Sequence, residues 1–208
     1  MKKNNLILTI VVLTAILFST SGYAQTLTIG SQVWTSKNLN VSTYRNGDVI
    51  PQVQDQAAWS NLTTGAWCYY DNDASNGTKY GKLYNWYAVN DPRGLAPNGY
   101  HIPKDMEWVE LKNYLSGESK SKGVKIKSTS GWYNNGNGTN SSGFSGLPGG
   151  LRDHSGTCDN IGKHAYWWSS TECYTDYACY QNLWWASGII TWYYCEKKVG
   201  YSVRCLRD

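Results

Sequence analysis

Two residue types in this chain could carry chemistry, and their spacing limits which chemistry. The first is cysteine, at positions 68, 158, 173, 179, 195 and 205. Thiols can bridge to one another, hold a soft metal or act as nucleophiles. A metal set is disfavoured: there is no Cys-x-x-Cys, and His101, His154 and His164 do not group with the thiols at zinc-ligand spacing. An even count in an oxidising compartment favours disulfides, with about 15 connectivities open to six cysteines. All of Cys68, Cys158, Cys173, Cys179, Cys195 and Cys205 are disulfide candidates, and Cys173 with Cys179 is the easiest local pair. No cofactor is expected. Asp153-His154-Ser155 is a polar loop cluster rather than a triad, because catalytic roles need geometry that adjacency does not supply. Asp71-x-Asp73-x-Ser75-x-Gly77 lacks the glycine position and distal glutamate of a calcium loop, so it reads as a solvated turn.

The second type is the large aromatic ring: 11 Trp and 17 Tyr against 2 Phe. A single core does not need so many, so some should be exposed, where rigid amphipathic rings make contact surfaces. Residues 172–198 concentrate them. Tyr174, Tyr177, Tyr180, Trp184, Trp185, Trp192 and Tyr194 are the candidate ligand contacts, with Tyr193 beside them. Strand alternation would send neighbouring rings to opposite faces, so about half of the set should be core and half surface. Trp167 and Trp168 are expected in the core. The Gly- and Asn-rich stretch Asn134–Ser142 is a second candidate contact loop.

The elements that must position these groups read as α+β. Thr26–Asn38 should be a hairpin turning at Gly30-Ser31, and Asn46-Gly47 marks a second turn. Trp67–Asp71 and Tyr80–Val89 read as strands, or a strand and a short helix, around a polar, turn-like Asn72–Lys79. The one strong helical stripe is Trp108, Leu111 and Leu115, in a helix over Lys104–Leu115 with Asp105 and Glu107 in its first turn. Residues 116–150 read as a long loop, and Tyr166–Cys205 as aromatic strands separated by turns. No repeat or linker interrupts 25–208, which is expected to be one domain.

Ahead of it, Met1-Lys2-Lys3, an apolar run from Leu6 to Phe18, and Gly22 and Ala24 at the −3 and −1 positions read as a cleavable signal peptide over 1–24. The run falls short of the roughly 20 residues a bilayer span needs, no lipid-anchor cysteine follows it, and no second apolar stretch appears. The chain is therefore expected to be exported, with no membrane span. Loss of Lys2 and Lys3 lowers the formal charge from +4 to +2, which leaves no electrostatic footprint for nucleic acid.

Several strings combine into a resemblance. They are Ile29-Gly30-Ser31-Gln32-Val33-Trp34; Tyr80-Gly81-Lys82-Leu83-Tyr84-Asn85-Trp86; Gly99-Tyr100-His101-Ile102-Pro103 leading to Glu107-Trp108; Leu147-Pro148-Gly149-Gly150; Trp167-Trp168-Ser169-Ser170-Thr171; and Gly200-Tyr201-Ser202-Val203-Arg204-Cys205. In this order they resemble the Fibrobacter succinogenes major paralogous domain, a family of exported bacterial proteins. The Ile102–Trp108 and Tyr201–Cys205 strings also resemble, more distantly, formylglycine-generating enzymes. That likeness implies a C-type-lectin-like fold: a small twisted antiparallel sheet, one or two helices and long loops presenting a surface. Measured against the family, Cys68 and Cys205 are the commoner cysteines, while Cys158, Cys173, Cys179 and Cys195 stand where other residues are usual. The expected function is an exported, non-enzymatic binding or adhesion module for an extracellular glycan or protein. The alternatives are an oxidoreductase like the formylglycine-generating enzymes, with Cys173 and Cys179 near the place of their copper-binding pair, and a structural surface protein whose rings serve assembly.

Overall fold

The N-terminal hairpin forms as its sequence dictates. Strand β1 (Thr26–Ile29) pairs antiparallel with β2 (Gln32–Thr35), with Ile29 opposite Gln32. The two-residue turn requires a left-handed residue, which Gly30 supplies at φ 63°. This is a computed structural model describing residues 25–115 and 119–208. The signal-peptide reading of 1–24 lies outside the described residues.

Helix α1 (Gln56–Ser60) follows a run of loop, then come β3 (Trp67–Cys68), α2 (Ala74–Tyr80), β4 (Leu83–Tyr84), α3 (Trp86–Val89) and β5 (Tyr100–His101). One of these helices overturns an expectation. The polar stretch expected to turn through 72–79 is instead largely α2. Its sequence has little helical propensity, but Asp73 caps it: Oδ1 accepts from the Ser75 N–H at 2.8 Å. Asn85 caps α3 in the same way, accepting from the Ala88 N–H. Helix α4 (Asp105–Tyr114) sits where the stripe placed it, with Trp108 and Leu111 buried and Glu107 Oε2 accepting from the Lys104 N–H at 2.7 Å.

The segment 116–150 is not simply a long loop. It contains α5 (Ser119–Ile126), a 3₁₀ turn at Tyr133–Asn135 and the start of β6 (Gly149–Arg152). The chain continues through β7 (Cys158–Ile161), β8 (His164–Tyr174), β9 (Tyr177–Trp184), β10 (Thr191–Glu196) and β11 (Leu206–Arg207). The architecture is mixed α and β, with small antiparallel sheets. In place of one small sheet there are four, ordered β1-β2-β11-β5, β10-β9-β8, β3-β4 and β6-β7, and five helices among the described residues in place of one or two.

The last strand segment joins these pieces. Gly200 exchanges backbone hydrogen bonds with Arg152, and Tyr201 with Tyr84; Ser202 accepts from Trp168, Val203 from Leu39 and Cys205 from Thr35. This buried seam satisfies backbone groups of each small sheet in turn, which no sheet so short could do alone. Two large aromatic cores flank it. One contains Tyr84, Trp86, Trp168 and Tyr201, the other Trp34, Trp108, Phe144 and Trp167. A third, smaller core holds Trp59, Cys68 and Tyr70. Trp167 and Trp168 are adjacent in sequence, are both buried, and enter different cores. Among the described residues no helix is long and apolar enough to cross a membrane.

Candidate functional site

The sheet β10-β9-β8 lies between the two large cores, and this decides which rings are exposed. Alternation puts Ala178, Tyr180, Asn182 and Trp184 on one face of β9 and Tyr177, Cys179, Gln181 and Leu183 on the other. At the Leu183 end the second face is buried, with Leu183 and Trp167 in one core. At the opposite end the first face is buried, with Ala178 in the other core and Tyr180 packed against it. The exposed faces are therefore opposite at the two ends.

At the Trp184 end the exposed face forms a groove of about 380 Å³, lined by His164, Tyr166, Tyr180, Asn182, Trp184, Thr191 and Tyr193 among others. The register explains the grouping: His164 lies opposite Trp184, Tyr166 opposite Asn182, and Tyr193 opposite Tyr180. The rings form a nearly parallel, stacked ladder. Tyr201 stacks on Tyr166 (4.8 Å, 9°), Tyr166 on His164 (5.4 Å, 8°), and His164 on Trp184 (6.2 Å, 19°). The inner end is core and the outer end is solvent, where Trp184 is 44% exposed.

Polar groups line the same groove. The Asn182 side-chain amide donates to the Ala165 carbonyl at 3.1 Å and lies 3.2 Å from His164 Nδ1. Thr191 Oγ1 donates to the Asn182 carbonyl and side-chain oxygens. These contacts fix Asn182 with its amide toward His164, so Nδ1 is the acceptor of a neutral imidazole. Burial lowers the His164 pKa and keeps the ring neutral near pH 7. Burial raises those of Tyr166 and Tyr180, so these phenols stay protonated donors.

A buried ammonium ties the groove to the candidate loop. Lys127 Nζ donates to the carbonyls of Gly136 (3.1 Å), Trp184 (2.7 Å) and Trp185 (2.9 Å), and lies 4.5 Å from the Trp132 ring centroid. The residue is 2% exposed, and burial pushes its pKa down to about 8. The loop must approach closely here, since a Cβ at Gly136 would lie 2.3 Å from the Trp185 carbonyl oxygen. Trp185 packs edge-on against both Trp184 and Tyr133. The Asn134–Ser142 loop and the Trp184-Trp185 turn thus meet, as one surface requires.

The seven expected contact residues do not form one site. Tyr180, Trp184 and Trp185 belong at or beside the groove. Tyr174, Tyr177, Trp192 and Tyr194 gather at the far end on the other face, packed edge to face at interplanar angles of 72° (Tyr174–Tyr194), 87° (Tyr177–Tyr194) and 67° (Trp192–Tyr194). The half-core expectation also fails. Of the eight rings in 172–198, six are exposed, and Tyr180 and Trp185 are half-buried. The reason is that β10 is an edge strand, covered on neither face at Trp192–Tyr194. His164, Tyr166, Asn182 and Thr191 were missed. The alternation His164, Tyr166, Trp168 was the available signal that these rings share a face.

The cysteines divide likewise. Cys173 and Cys179 form a disulfide across the β8–β9 hairpin, with Cα atoms 5.7 Å apart. As a disulfide the pair offers no thiolate to a soft metal, although the Asp105 carboxylate lies within 4.8 Å of both sulfurs. Cys68, Cys158, Cys195 and Cys205 are unbridged, against expectation. Cys195 sits beneath Tyr201, and Cys205 lies in the seam. Cys158, at the edge of the third core that holds Cys68, instead accepts from the Asp71 N–H at 3.2 Å. Burial pushes Cys68, Cys195 and Cys205 up to about 12, which makes them unreactive thiols. The polar run from Asp71 to Gly77 is used as a helix cap, and Asp153 accepts from the Ser155 and Thr157 N–H groups within its own turn.

The sequence pattern of the Fibrobacter succinogenes major domain matches residues 27–207. The chain belongs to that family. No curated protein and no solved structure matches it.

Proposed function

We propose that this family member is an exported, non-enzymatic binding module that holds a glycan in the His164–Trp184 groove. The observation that carries the reading is the aromatic stack that ends at the exposed Trp184 ring beside fixed polar groups. A pyranose presents apolar C–H faces above and below its ring and hydroxyls around the edge. The exposed outer ring, Trp184, offers an apolar face held in place by the stack behind it, and Asn182, Thr191 and Tyr193 line the same groove with donors and acceptors. The groove volume falls within the roughly 300–1,000 Å³ of small-ligand sites. A long-looped, C-type-lectin-like arrangement, with the 134–142 loop and the aromatic turn on one surface, is the fold reading that accompanies this function. Export rests on the leader sequence, and an oxidising destination accords with the Cys173–Cys179 bridge.

The test is a glycan array followed by titration of hits, monitored by tryptophan fluorescence. Neutral or acetylated hexoses should bind the wild-type chain, and Trp184→Ala should bind at least tenfold more weakly with an unchanged melting temperature. Silence across the array, with concentration-dependent self-association, would replace this reading with assembly through the same rings.

A further inference from the structure

A second cavity, of about 820 Å³, lies away from the groove, walled by residues 36–40, the end of α2, and the 128–130 and 140–147 loops. Its charged lining is Lys37, Lys79 and Arg204, and no Asp or Glu is among the described residues that line it. We propose that this cavity is a separate site for an anionic ligand of sugar size, carrying a carboxylate or sulfate group.

Arg204 is the main argument. It is 1% exposed, yet every partner it has among the described residues is neutral. Nε donates to Asn38 Oδ1 at 2.8 Å, and Nη1 to the Thr35 and Phe144 carbonyls, each at 2.9 Å. Nη2 makes only a long contact, 3.4 Å, to the Ser145 carbonyl. Burial alone pushes this guanidinium down to about 9. A buried cation without a counter-charge is costly, and an anion in the cavity would supply one.

Arg152 provides the control within the same molecule. It is equally buried and also lacks a carboxylate, but its Nε, Nη1 and Nη2 donate to the Gly156, Val53 and Gln54 carbonyls at 2.9, 2.6 and 2.7 Å. Each Arg152 nitrogen makes a hydrogen bond of 2.9 Å or shorter, whereas Arg204 Nη2 has only the 3.4 Å contact, and Arg204 lines the cavity. A second group there is also unsatisfied: Ser36 Oγ is buried with no hydrogen-bond partner. Exposed Lys37 and Lys79 on the same wall add the field that would draw an anion in. One guanidinium nitrogen provides one charge-assisted bond rather than a fork, so a single acidic group suffices. The Ser, Thr and Asn side chains of the remaining wall suit hydroxyls, which favours a uronate or a sulfated sugar.

The experiment titrates the full chain, by calorimetry in low salt, with glucuronate, inorganic sulfate and glucose. Glucuronate should bind saturably and glucose should not compete with it. Affinity should fall about tenfold in Lys37→Ala/Lys79→Ala, whose exposed side chains can be removed with the melting temperature unchanged. Trp184→Ala should bind glucuronate as the wild type does, which separates this site from the groove. Sulfate that displaces glucuronate would show that the anion supplies the recognition; sulfate that fails to displace it would assign the site to the sugar acid as a whole. Equal binding of glucuronate and glucose, or unchanged affinity in the double variant, would overturn the proposal. Because Arg204→Met would also remove buried hydrogen bonds of the fold itself, the direct readout at Arg204 is its Nε–H chemical shift, which should move on addition of glucuronate.

Discussion

The two ends of the β10-β9-β8 sheet are made of the same residue types and arranged in opposite ways. At the hairpin end, Tyr174, Tyr177, Trp192 and Tyr194 meet edge to face, and Trp192 Nε1 donates to Asp105. Each ring covers part of another's face, so the cluster satisfies itself. At the groove end, Tyr166, His164 and Trp184 stack in parallel, each neighbouring pair within 19°, and the stack ends at the exposed Trp184 ring. Exposure does not distinguish the two: Trp192 is 45% and Trp184 44% exposed. Ring orientation does, and it follows from register, because residues directly opposite on neighbouring strands point the same way. A patch of exposed aromatics is thus a poor guide to a ligand site unless the rings share an orientation.

The largest effect should come from the covered face of the groove end. Trp167 is completely buried against Trp108 and Phe144, and its Nε1 donates to Asn38 Oδ1 at 3.0 Å. Trp167→Ala should cost about 3–5 kcal/mol, the range for removing a buried large aromatic. Chemical denaturation would measure this. A loss below about 1 kcal/mol would mean that the sheet is not held between two cores.

Next in size is the hairpin end. The Cys173–Cys179 bridge closes a short loop beneath the edge-to-face cluster. Opening it, by reductant or as Cys173→Ala/Cys179→Ala, should cost about 2 kcal/mol on the loop-entropy estimate. Glycan affinity should stay within about twofold. If affinity instead collapsed with the bridge, the two ends would be one functional unit.

A smaller effect sharpens the comparison directly. Trp184→Ala should weaken glycan binding at least tenfold, or about 1.4 kcal/mol, while Trp192→Ala should change it less than about twofold. The reverse ranking, read by the same fluorescence titration, would transfer the site to the hairpin cluster.

What the sequence allowed depended on how local the signal was. The β1–β2 turn was legible because Gly30-Ser31 is a two-residue signal, and α4 because Trp108, Leu111 and Leu115 repeat at helical spacing. Helix α2 was not, since its hold is one capping carboxylate on Asp73 rather than a periodic stripe. The groove was half legible. Trp184 announced itself as an unexplained ring, but its partnership with His164 is a register across 20 positions, and register is not written in either strand alone. Lys127 and Arg204 were invisible because charged side chains are rarely buried; only the fold shows that their carbonyl partners converge.

The finest distinction is one of protons. His164 and His101 should respond to pH in opposite senses. His101 is partly buried, which opposes its charge, but Asp208 and Glu107 contact its two ring nitrogens, each at 2.8 Å, and the net effect raises its pKa. Its contribution to stability is full below pH ~6.5, the unfolded value, and is lost as pH rises through the folded value. Burial lowers the His164 pKa, so its contribution is full above pH ~6.5 and is lost as pH falls through the lowered folded value. Protonation would also set an Nδ1–H against the Asn182 amide, two donors face to face, and so disturb the ladder where Trp184 joins it. Glycan binding should therefore weaken as pH falls below ~6.5 and through the lowered folded value. His164→Phe keeps a flat ring but cannot take a proton, and it should flatten that profile. An equally steep profile in His164→Phe would mean that the proton acts elsewhere, and the ladder would then need another explanation for its histidine.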